Sequence, residues 1–99
     1  MTLHELQVDG TSQRDLGVAI EEAARALGLV TTQVTTLAKY PGSVHWHFKR
    51  GRERGTLEAT YWPEQNRAWL SYRSGREANW MTPTVQQFGR LVEAAVGRI

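Results

Sequence analysis

The sequence predicts an α+β domain with a two-layer α-β-β-β-α arrangement, a three-stranded antiparallel meander carrying two helices on one face. Three observations predict it. Residues 43–73 alternate in polarity with a period of two and are broken by two turn signals. An amphipathic helical stripe precedes that stretch, and a second follows it.

Residues 1–11 hold a short alternation of Leu3, Leu6 and Val8 that ends at Asp9-Gly10, read as a short strand or arm. The first helix is expected from about Ser12 to Leu27. Ser12 is placed to cap it, Asp15 favours its positive end, and Leu16, Ile20, Ala23, Ala24 and Leu27 share one stripe. Gly28 suits a left-handed helix end. Val30 to Tyr40 is rich in threonine and valine, which favour extended backbone, so it is read as a strand or an irregular connector before the Tyr40-Pro-Gly-Ser43 turn.

In the meander, Val44, Trp46 and Phe48 point one way and His45, His47 and Lys49 the other. Leu57, Ala59 and Tyr61, then Ala68, Leu70 and Tyr72, continue the apolar face. A turn at Pro63-Glu-Gln-Asn66 sets Trp62 against Arg67, Thr60 against Trp69 and Glu58 against Ser71. Parity in the first hairpin then sets His47 against Glu58 and His45 against Thr60, which keeps core residues paired with core residues. The last helix opens at Thr82-Pro83 and presents Val85, Phe88, Leu91, Val92, Ala95 and Val96, with Trp80 as a plug near its start.

In outline, this order of elements is similar to that of the double-stranded-RNA-binding domain. Thr82-Pro-Thr-Val-Gln-Gln87 contains none of the lysines that family carries at the start of its last helix. The likeness therefore implies a fold and no functional residue.

The 99 residues suit one domain, 1–99. There is no cysteine, which excludes disulfides and thiolate metal sites. No apolar run is long enough to span a bilayer, and the start lacks a signal-peptide pattern, so a cytoplasmic protein without a membrane partner is expected. The net charge of +2 is unevenly spread. Residues 39–76 hold eight basic and three acidic side chains, a net +5, whereas residues 1–38 hold two and five, a net −3.

That positive charge falls on the polar sheet face. Its candidate binding residues are His45, His47, Lys49, Trp62, Arg67, Trp69 and Arg73, with Arg50, Arg52 and Arg54 in the adjoining loop. Tryptophans that stack on bases beside cations that neutralise phosphates point to RNA or DNA as partner. The alternative is homodimerisation or docking of a protein partner through the same face, because Trp and Arg also anchor interfaces. A third reading is a zinc site at His45, His47 and Glu58. No cofactor is expected. Nor is catalysis: in the row His47, Glu58, Ser71 the carboxylate lies between the other two, whereas a triad needs the histidine there.

Overall fold

The computed structural model describes residues 2–7, 15–72 and 79–97. Its element order is β1 (Thr2–Glu5), α1 (Leu16–Ala26), β2 (Val30–Thr35), β3 (Val44–Lys49), β4 (Leu57–Trp62), a short 3-10 turn at Pro63–Gln65, β5 (Arg67–Tyr72) and α2 (Met81–Gly97). The strands form one five-stranded antiparallel sheet in the order β1-β5-β4-β3-β2. This is an α+β fold, with two strands more than the expected three. The extra strands flank the meander as its two edges. They alter the outline drawn from the double-stranded-RNA-binding domain, because β1 precedes the first helix and β2 follows it.

The meander register is the expected one: Trp62 faces Arg67, Thr60 faces Trp69, Glu58 faces Ser71, and His47 and His45 face Glu58 and Thr60. Asn66 adopts a left-handed conformation at φ 50°, which lets the four-residue connection close without shifting that register.

The local signals explain the helix ends. α1 begins at Leu16 and not at Ser12, which lies outside the described residues. Asp15 is the cap, its carboxylate accepting from the backbone N–H groups of Gly17 and Val18 at 2.8 and 3.3 Å. At the other end, Gly28 N donates to Arg25 O and Leu29 N to Ala24 O, a Schellman closure that needs the positive φ of Gly28. The same turn delivers buried Leu29 directly into β2. α2 starts at Met81, so Thr82 and Pro83 fall inside its first turn, where proline is tolerated because that N–H has no partner to lose.

One sheet face carries both helices. Trp46, Phe48, Leu57, Ala59, Ala68 and Leu70 meet Leu16, Ile20, Ala23 and Ala24 of α1 and Val85, Phe88, Val92 and Val96 of α2, all of them buried. The Phe48 and Phe88 rings lie 5.7 Å apart between centroids, a favourable tilted contact. α2 also lies close to β1. A Cβ at Gly89 would stand 3.1 Å from His4 Nε2, a contact that the His4 side chain would have to yield to. Leu91 departs from the expected stripe and is exposed, because the α2 contact face turns through Phe88, Val92 and Val96.

Phe88→Ala, which empties the centre of the α2–sheet contact, is expected to lower stability by about 3–5 kcal/mol, read as a fall in the urea midpoint at unchanged slope. Leu91→Ala is expected to leave the midpoint nearly where it was, since the side chain remains in water.

Candidate functional site

The strand register sets two complete rows across the sheet face opposite the helices. Leu3, Ser71, Glu58, His47 and Gln33 form one, and Glu5, Trp69, Thr60, His45 and Thr35 the next. Directly opposed side chains in such rows stand close enough to bond. The order His47, Glu58, Ser71 keeps the carboxylate between the other two groups, as expected.

This face is less open than the alternation implies. The connection between β2 and β3 folds back over it and is held by its own hydrogen bonds: Tyr40 N to Leu37 O, Ser43 N to Tyr40 O and Leu37 N to buried Ser43 Oγ. Tyr40 stands with its ring centroid 5.0 Å from that of Trp62 and 5.0 Å from that of Trp69. Trp62 Nε1 donates to Pro41 O at 3.1 Å. Arg67 covers the remaining side of Trp69, its guanidinium carbon 4.8 Å from the ring centroid. Trp69 lies on the expected face but is only 5% exposed, and Trp62 is half-buried. They form a second, smaller core and not a free stacking platform. Sequence reasoning missed Tyr40: a Tyr-Pro-Gly turn signals reversal but does not say over which face the chain returns.

The cations divide into two groups. Arg67 forms a two-pronged pair with Glu5, at 2.7 and 3.1 Å, and so clamps β1 to β5. Arg50 pairs with Glu53 at 3.3 Å within the β3–β4 loop. Among the described residues, Lys49, Arg52 and Arg54 have no carboxylate at ion-pair distance. Trp80 Nε1 donates to Arg54 O at 2.9 Å, pinning this loop to the start of α2. Arg73 lies outside the described residues.

His45, His47 and Glu58 form a compact polar group. Glu58 Oε1 lies 3.0 Å from His45 Nε2 and 3.7 Å from His47 Nε2. The two imidazoles meet edge to face, 5.1 Å between centroids. His45 Nδ1 is hydrogen-bonded to Thr60 Oγ1 at 2.8 Å, and both residues are buried. Burial lowers the pKa of His45 below the ordinary histidine value; Glu58 pulls it upward and His47 pushes it further down. Compared with protein-family models, with curated proteins and with solved structures, the chain has no match.

Two predictions follow from this face. Trp69→Ala is expected to destabilise the fold by about 3 kcal/mol, measured by urea denaturation, because it removes the centre of the second core. The second concerns pH. Folded His45 resists the proton that the unfolded chain accepts, so its contribution to stability is present above the ordinary imidazole range. It is lost as pH falls through that range and then through the lowered folded value. Denaturation in neutral and mildly acidic buffer should show a smaller acid-induced loss for His45→Gln than for the native chain.

Proposed function

We propose that this protein is a non-catalytic binding module for a polyanion, a nucleic-acid strand foremost, met along the β3 end of the exposed face and the β3–β4 loop. The observation that carries the reading is the set of cations without described carboxylate partners at that end, Lys49, Arg52 and Arg54. β2 and β3, beside them, contain no acidic residue. Val30 faces Lys49, Gln33 faces His47 and Thr35 faces His45 along these strands, a path of polar and apolar groups bounded by positive charge.

Trp62 and Trp69 are engaged with Tyr40 and Pro41, so phosphate neutralisation and not base stacking supplies the affinity. Arg67 is spent on Glu5 and Trp69. Recognition of this kind tolerates many sequences and weakens steeply with salt.

The β2 edge favours a second reading, association of two copies of the chain. All six of its residues are exposed, Val30 and Val34 by more than half, and none is charged, so two such edges can approach without like-charge repulsion.

Fluorescence titration with a single-stranded oligonucleotide is expected to give a log–log salt slope of about −2, three cations at about 0.7 each. The triple variant Lys49→Glu, Arg52→Glu, Arg54→Glu should abolish binding while retaining its denaturation midpoint. Binding that is absent at low salt, or that the triple variant retains, would sink the polyanion reading. A salt-resistant dimer by light scattering, dispersed by Val34→Lys, would support the second.

A further inference from the structure

We propose that His45, His47 and Glu58 form a binding site for a divalent transition-metal ion of the zinc class, held across β3 and β4 and open toward the exposed side of the sheet. This site uses none of the loop cations and stands or falls independently of polyanion binding.

The backbone supplies the convergence. His45 and His47 alternate along one strand, so both rings leave the same face, and Glu58 faces His47 across the β3–β4 ladder. One carboxylate oxygen lies 3.0 and 3.7 Å from the two Nε2 atoms, and one ligand atom from each of the three residues falls within 4.8 Å of the others. Tetrahedral coordination with bonds of about 2.0–2.2 Å separates ligand atoms by about 3.3–3.6 Å. The set is therefore within small side-chain rotations of coordination distance. Two imidazole nitrogens with one carboxylate oxygen suit zinc and its neighbours, whereas calcium and magnesium take oxygen shells.

Two features separate this group from an ordinary pair of strand histidines. The first is shelter. His45 is only 6% exposed, and His47 keeps about 30% of its side chain accessible, which gives an ion one buried anchor and one entry side. The second is the residue behind the ligand. A metal-bound imidazole is oriented by a partner on its other nitrogen, and His45 Nδ1 has fully buried Thr60 at 2.8 Å. In the tautomer whose Nδ1–H donates to Thr60 Oγ1, Nε2 has a lone pair to offer an ion. Without an ion the 3.0 Å contact is an Nε2–H hydrogen bond to Glu58, whose proton an arriving ion would displace. Three protein ligands leave a further position, beside His47, for water or an anion.

The test uses the untagged full chain, stripped with a chelator and titrated with zinc chloride by calorimetry and with cobalt(II) chloride by visible absorption. A single ion per chain, a raised thermal midpoint and the bands of tetrahedral cobalt are expected. His47→Ala and Glu58→Gln, both at partly exposed positions, should remove this binding, and circular dichroism checks that each still folds. Thr60→Val, which keeps the ligands, should weaken affinity by about 10–100-fold. His4→Ala, at the α2 side of the sheet, should change nothing. If His47→Ala fails to fold, Glu58→Gln decides. A native chain that binds no zinc, or undiminished binding in the folded variants of His47 and Glu58, overturns the site.

Discussion

The register of β3, β4 and β5 is the constraint on which the rest of the molecule depends. It places Trp46, Ala59 and Leu70 side by side under the helices, and His45, Thr60 and Trp69 side by side on the reverse. A one-residue slip in any of these strands would exchange the two sets. It would present a histidine and a glutamate to Phe88 and Val92 and push Trp46 and Phe48 into water. The burial of Trp46, Phe48 and Leu57 under two helices therefore selects the register, and the register in turn assembles the polar group on the other face. Core and candidate site are two consequences of one pairing.

The reverse face shows how a small domain manages a sheet with helices on one side only. Left bare, Trp62 and Trp69 would form an exposed apolar patch. The β2–β3 connection lays Tyr40 across both rings, Pro41 accepts the Trp62 N–H, and Arg67 closes over Trp69 while pairing with Glu5. The aromatic residues that look like ligand contacts thus hold β1, β5 and the long connection together. Lys49 on the same face, and Arg52 and Arg54 in the β3–β4 loop, have no carboxylate at ion-pair distance among the described residues.

The cations Lys49, Arg52 and Arg54 and the group His45, His47 and Glu58 are separate sets of side chains on neighbouring parts of the chain. Glu58 lies within 3.0 and 3.7 Å of the two histidines, and its side chain is largely covered. An ion bound there would add positive charge to the same face. Thr60 is the quiet member of the group: a buried hydroxyl opposite His45 whose role follows from its place in the ladder.

The sequence by itself determined the α+β class, both helices, the meander and its register, because those rest on period-two alternation, helical stripes and a four-residue turn that admits one pairing. It also determined that His45, His47 and Glu58 share a face. Other features were settled by tertiary contact alone. All six residues of β2 are exposed, so no face of it is buried and its sequence carries no alternation to read; pairing with β3 makes it a strand. β1 is four residues long and owes its place to β5 and to the Glu5–Arg67 clamp. Burial of Trp69 could not be read locally, because the side chain that covers it, Tyr40, is 29 positions away on a connection whose path depends on the finished sheet. Periodicity reports which side of a strand a residue takes, whereas what lies over that side is a property of the whole chain.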